Sequence, residues 1–146
     1  MSVLTTKALG QVEIAPDDIV RFPEGLFGFP DVHEFIVLKE NDDSPFSWLQ
    51  STKDPQLAFV LIVPELFLTD YRPQLAPGDL DIFETERIED CVTYLIVTIP
   101  ENQPEKMTAN LQGPVLIHNE RKVGRQVISH HSKHFVRVPI LEQLEG

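Results

Sequence analysis

Leu57-Ala58-Phe59-Val60-Leu61-Ile62-Val63 is apolar at every position. A strand with one face in water alternates polar and apolar side chains. An unbroken apolar run this short therefore reads as a central strand covered on both faces. Phe46 to Gln50 precedes it, and Ser51-Thr52-Lys53-Asp54-Pro55-Gln56 between them has the polar, proline-marked composition of a turn. Working outward, Phe35-Ile36-Val37-Leu38 on one side and Val92 to Ile99 on the other read as further strands. They end at Asn41-Asp42-Asp43-Ser44-Pro45 and at Pro100.

The rest of the chain follows the same pattern. Gln11-Val12-Glu13-Ile14 alternates as a half-buried strand should, and Gly10 suits a turn from an earlier strand over Val3 to Ala8. Ile19 to Phe22 is another short strand. Val115 to Asn119 and Arg125 to Ser129 flank Glu120-Arg121-Lys122-Val123-Gly124 as a hairpin, and Phe135 to Ile140 closes the sheet or begins the tail. Pro64 to Asp90 is the least β-like segment. Within it Asp79 stands as cap of one short helix running through Phe83. Twelve prolines and seven glycines punctuate these segments. The expectation is an all-β, mostly antiparallel domain over residues 1–146, a compact β-barrel or sandwich with one short helix.

Composition narrows the function. A chain of 146 residues with 42% apolar content buries a core without metal or disulfide. The single cysteine, Cys91, cannot form an internal disulfide and suits a reducing cytoplasm. The N-terminus has no signal-peptide core, and no apolar run approaches the ~20 residues of a membrane span. The net charge of −11 repels phosphate backbones, which argues against nucleic acid as a direct ligand and favours a basic protein partner. The charge is uneven. Glu65 to Asp90 holds eight acids and two bases, whereas Arg121 to Arg137 holds five bases and no acid. Two faces of opposite sign are expected if both stretches are exposed.

Catalytic constellations are sparse. Gly25-Leu26-Phe27-Gly28 lacks the lysine and spacing of a phosphate loop, and no Gly-x-Ser-x-Gly elbow occurs. Cys91 precedes an apolar strand and reads as a buried structural thiol. His130 and His134, four apart in His130-His131-Ser132-Lys133-His134, share a face on helix or strand as paired metal ligands do. No neighbouring Cys, Asp or Glu completes a set, and Lys133 repels a cation, so the cluster reads as a polar surface stretch. His118 reads as a hydrogen-bonded core or edge residue, and Trp48 with Phe46 as core. No catalytic, cofactor-binding or metal residue is assigned. A small-molecule-carrying β-barrel and a metal-dependent hydrolase built on His130 and His134 are the competing readings.

The order of several short stretches resembles one family. These are Gly10-Gln11-Val12-Glu13-Ile14, Phe22-Pro23-Glu24-Gly25-Leu26-Phe27-Gly28-Phe29, and Phe46 to Ser51 followed by Leu57-Ala58-Phe59-Val60. Asp70-Tyr71, Leu95 to Ile99, Thr108 to Asn119 and Val123 to Ile128 complete the set. Together they resemble the FliW family, from about Gly10 to Ile128. Phe27 stands where proline is more usual, Gly113 where alanine is commoner, and His118 interrupts an aliphatic run into Asn119. The stretch from His130 onward matches poorly.

The resemblance implies a compact antiparallel β-barrel-like domain without catalytic activity or cofactor. It implies two cytoplasmic partners, flagellin and CsrA, a small RNA-binding repressor of flagellin translation. In the switch it implies, the free protein holds CsrA and accumulating flagellin releases it. The chain is expected to be monomeric when free. From charge alone, Asp79, Asp81, Glu84 and Glu86 form the surface expected to face CsrA. The aromatic loop with Phe27 and Phe29 is the candidate for an apolar element of flagellin.

Overall fold

The computed structural model describes residues 2–141. The strands, in chain order, are β1 (Ser2–Thr5), β2 (Gln11–Ile14), β3 (Val20–Arg21), β4 (Glu34–Leu38), β5 (Phe46–Ser51) and β6 (Ala58–Ile62). They continue as β7 (Val92–Thr98), β8 (Thr108–Ala109), β9 (Val115–His118), β10 (Val123–Gln126) and β11 (Val138–Pro139). Seven of them close a barrel in the order β3-β4-β5-β6-β7-β9-β10, with β7 pairing to β9 and β10 returning to β3. Every pairing is antiparallel except β10 with β3, where Val123 lies opposite Arg21. Closure leaves the seven without a free edge. β8 and β11 continue from β7 outside the barrel, and β1–β2 is a separate hairpin. The all-β, mostly antiparallel barrel read from the sequence is the fold observed.

Strand alternation divides the core into an inside and an outside. Phe22, Phe35, Leu49, Leu61, Val115 and Ile117 fill the lumen. The rings of Phe22 and Phe35 meet edge to face at 5.2 Å. Alternate residues of the same strands point outward and are covered by the segments that connect them. Leu4 and Ile14 of the hairpin cover Ile36 of β4. Phe67 and Ile140 cover Leu95 and Val97 of β7. Phe83 and Val127 cover Leu116 of β9. β6 is thus apolar on both faces for the reason the sequence suggests, with Leu61 inside and Ile62 outside.

Several boundaries differ from expectation. The short helix expected through Phe83 is the 3-10 turn Asp81–Phe83, and its cap is Leu80 rather than Asp79. The described residues hold five 3-10 turns, Pro16–Asp18, Pro64–Leu66, Asp81–Phe83, Ile88–Asp90 and Pro104–Lys106. Three begin with proline, whose fixed φ suits the first helical position. The carboxylate of Asp79 instead accepts the Ala76 N–H at 2.7 Å and closes a turn before the helical residues.

The β9–β10 hairpin turns one step earlier than expected, over residues 119–122. Lys122 takes the positive φ of +54° and donates its N–H to the His118 carbonyl at 2.8 Å. Gly124 is therefore a strand residue. A Cβ there would lie 2.3 Å from the ring of Phe22, so glycine at this point makes room for the aromatic that fills the lumen. The last expected strand shrinks from Phe135–Ile140 to the two residues of β11. Trp48 is half-buried on the face opposite Leu49 rather than in the lumen.

Candidate functional site

The acidic segment is an outer layer with an apolar underside. Leu80, Ile82, Phe83 and Ile88 pack against Leu116 and Val123 of the barrel wall. That burial fixes the two turns Asp81–Phe83 and Ile88–Asp90 and leaves the intervening polar residues in solvent. Asp81, Glu84 and Glu86 are exposed, whereas Asp79 is half-buried. Glu84 lies at the end of its turn with φ of +53°, a left-handed conformation uncommon for a residue with a side chain.

The two expected faces of opposite charge meet here. Arg121 pairs with Glu84. Arg125 donates to the Asp79 carbonyl at 3.0 Å and lies 3.4 Å from Glu24. Arg87 lies 3.7 Å from Glu89, and Asp90 accepts the Thr85 hydroxyl. Of the four acids singled out from the sequence, one closes a turn and one is ion-paired. Asp81 and Glu86 have neither a hydrogen bond nor an ion pair from a side chain among the described residues. They are the carboxylates free to meet a partner.

The aromatic loop splits. Phe22 and Leu26 enter the lumen. Gly25, at φ +65°, lets the chain double back so closely that a Cβ would lie 2.2 Å from the Phe29 carbonyl. Phe29 folds partly inward, its ring edge-on to Phe59 at 5.3 Å. Phe27 remains 53% exposed. Its backbone is held by an N–H donated to Gln126 Oε1 at 2.9 Å, and its side chain lines a small concavity with Ile128 and Val136.

A second constellation has no counterpart in the sequence reading. Ser129, 2% exposed, accepts the Gln74 N–H at 3.0 Å through Oγ, and the same Oγ lies 2.6 Å from His134 Nδ1. His130 donates its N–H to the Gln74 carbonyl at 2.8 Å. The His134 ring stacks between Tyr71 at 4.6 Å and His131 at 4.3 Å, and the Tyr71 hydroxyl donates to the Leu111 carbonyl at 2.6 Å. These groups clasp residues 129–134 to residues 71–74.

Burial, with His131 adding, lowers the His134 pKa, and burial pushes the Tyr71 phenol up. The Ser–His contact does not resemble an activated nucleophile. Ser129 is sealed in, its oxygen already serves Gln74, and among the described residues no carboxylate bonds the ring. His131, not His130, is the partner of His134. No group of three or more His, Cys, Asp or Glu that could hold a metal occurs among the described residues. Cys91 is half-buried rather than buried. Its thiol is pushed up to about 11, first by burial and then by the Asp90 carboxylate, so it is not a thiolate near neutral pH. His118 is buried, accepts the Arg121 N–H at 3.2 Å and stacks on Phe83.

Among the described residues no helix is long and apolar enough to cross a membrane. Comparison with known proteins gives one consistent result. The family model described as FliW protein matches residues 3–140. The chain is 41% identical to the flagellar assembly factor FliW of Leptospira biflexa serovar Patoc, over 99% of this chain and 95% of that one. It is 37% identical to the FliW of Thermoanaerobacter pseudethanolicus, over 98% and 95%. A crystal structure of the flagellar assembly factor FliW superposes with a TM-score of 0.87 at 32% identity, covering 95% of this chain and 96% of the other. Barrel, length and residue pattern agree from end to end, and the chain belongs to the FliW family of flagellar assembly factors.

Proposed function

We propose that the chain serves flagellar assembly by binding proteins rather than by catalysis. It holds CsrA when flagellin is scarce and releases it when flagellin binds. The reading places it in the cytoplasm, as a single domain that is monomeric when free. The observation that carries it is the acidic ledge. Asp81 stands in solvent on the turn Asp81–Phe83 and Glu86 on the link to the turn Ile88–Asp90, and the apolar undersides of both turns are anchored to the barrel, a mount for charges that attract a basic RNA-binding protein. Phe27, exposed on a pinned backbone, supplies an apolar contact for flagellin. The lumen is filled by Phe22, Phe35 and their neighbours, so the small-molecule carrier reading has no observation in its favour.

Calorimetry with purified CsrA, with and without flagellin, tests this. Tight CsrA binding that flagellin abolishes is the expected result. Asp81→Lys with Glu86→Lys should weaken CsrA by about tenfold or more and flatten its salt dependence. These positions are chosen because neither holds the fold. Binding of neither partner by the wild-type chain defeats the reading, and unchanged affinity in the double variant defeats the ledge.

A further inference from the structure

A second surface has the opposite chemistry. Ile128, Phe135 and Val136 are 47%, 61% and 50% exposed, and Phe27 lies at one end of them. Of the other exposed large apolar residues, Phe29 belongs to the loop of Phe27 and packs on Phe59, while Val3 on β1, Leu66 on a 3-10 turn and Ile99 just past β7 lie on separate segments. Phe27, Ile128 and Val136 share one concavity of about 280 Å3. Ile128, Val136 and Phe135 share the next, of about 500 Å3. Phe135 then forms a wall of a larger groove of about 780 Å3, floored by Leu68, Leu111 and Val138. The result is a continuous apolar strip.

Its rim is basic. Its bases are Lys133 and Arg72, which line the large groove, and the exposed Arg137, which lies between Val136 and Val138 in sequence. Asp70 is the one acid lining that groove, and it is bonded to Arg72 at 2.8 Å. No acid lines the other two concavities, and Glu24 and Asp79 line only a separate hollow beside Phe27 and Ile128, where Arg125 faces them. Arg121 and Arg125 are engaged with the acidic ledge, whereas Lys133 and Arg137 form no ion pair among the described residues. In a molecule of net charge −11 this is a local reversal of sign around exposed apolar side chains.

We propose that the strip docks an acidic amphipathic helix of a partner protein. Leucine-type side chains at i, i+3, i+4 and i+7 would enter the concavities while flanking carboxylates meet Lys133 and Arg137. Addition of a partner strand fits less well. The outermost strand, β11, is two residues long, and Pro139 has no N–H to offer a ladder. Through Phe27 the proposal deepens the flagellin-contact reading by naming the chemistry of the element that docks; flagellin binding in calorimetry without binding of the glutamate peptide would defeat the strip and leave that reading intact.

Two synthetic amphipathic helices of about 18 residues serve as probes, with the same leucine face and flanks of glutamate or of lysine. The glutamate peptide should bind saturably by fluorescence anisotropy and shift the amide signals of residues 128–138. Lys133→Glu with Arg137→Glu should weaken it by about tenfold or more and favour the lysine peptide instead. Phe135→Ser should weaken both peptides. That change leaves the bond from Leu111 N–H to the Phe135 carbonyl in place, and the amide spectrum reports whether the fold persists. No saturable binding, shifts confined to other surfaces, equal affinity for the two peptides, or preferential capture of the strip by anionic lipid vesicles would each overturn the proposal.

Discussion

Phe22 and Ser129 are both buried, and they are held in opposite ways. Phe22 sits in the lumen among apolar groups, positioned by shape, with Phe35 edge-on and Gly124 clearing space behind the ring. Ser129 lies on the outside of the barrel, positioned by direction, with its one oxygen shared between a backbone N–H and a histidine ring. The lumen is a close-packed interior, where volume errors cost most. The clasp is a polar network, where an orphaned donor costs most and where proton uptake matters. One part of the molecule is therefore insensitive to pH and intolerant of added atoms. The other depends on its hydrogen bonds and responds to pH.

The largest effect should come from the lumen. Gly124→Ala places a methyl inside contact distance of the Phe22 ring and should cost about 1–3 kcal/mol in urea denaturation. In a Phe22→Leu background the same substitution should cost markedly less, because the obstructing ring is gone. Equal costs in both backgrounds would mean the strain lies in the backbone and not in packing.

Ser129→Ala sharpens the other side of the comparison. It leaves the Gln74 N–H without its acceptor and the His134 ring without its anchor, for an expected loss of about 1–2 kcal/mol. A loss near zero would show that water replaces the hydroxyl and that ring stacking alone holds the clasp.

The smallest effect is the pH response. The folded state holds the His134 pKa below its ordinary value, through burial first and His131 second, so the folded chain binds that proton more weakly than the unfolded chain. The stability this contributes is present above the ordinary histidine value of about 6.5 and is lost as pH falls through the lower folded value. The thermal midpoint should therefore fall more between about pH 7.5 and pH 5 in the wild type than in His134→Gln. Parallel curves for the two proteins would remove His134 as the titrating group.

The comparison also explains what could be read in advance. β4, β6 and β7 were legible because their two-faced apolar composition is a local property of consecutive residues. The outer layers that cover them were not, because Leu116 and Phe83, or Leu95 and Ile140, meet only after the sheet curls. Gly124 looked like a turn residue. In a short sequence window a glycine needed for space cannot be told from one needed for positive φ, and here the positive φ went to Lys122. The charge of residues 65–90 was legible as a total. Which of its acids remain free depended on Arg121 and Arg125 reaching across from β10 and its turn, dozens of residues away. The competing reading that paired His130 with His134 has a related flaw. Their equal spacing assumes a regular element, and the chain turns there instead, bringing His131 onto His134.

The sequence by itself determined a short-stranded β domain, its acidic balance and its family, since each is written in runs, counts and ordered motifs along the chain. The tertiary structure alone decided the closure of β7 on β9, the parallel contact of β10 with β3, the clasp between Ser129, His134 and Tyr71, and the basic apolar strip beside Phe135. Those features join residues far apart in the chain. Such contacts are selected by the burial and hydrogen bonding of the whole fold, and no local preference in the sequence specifies them.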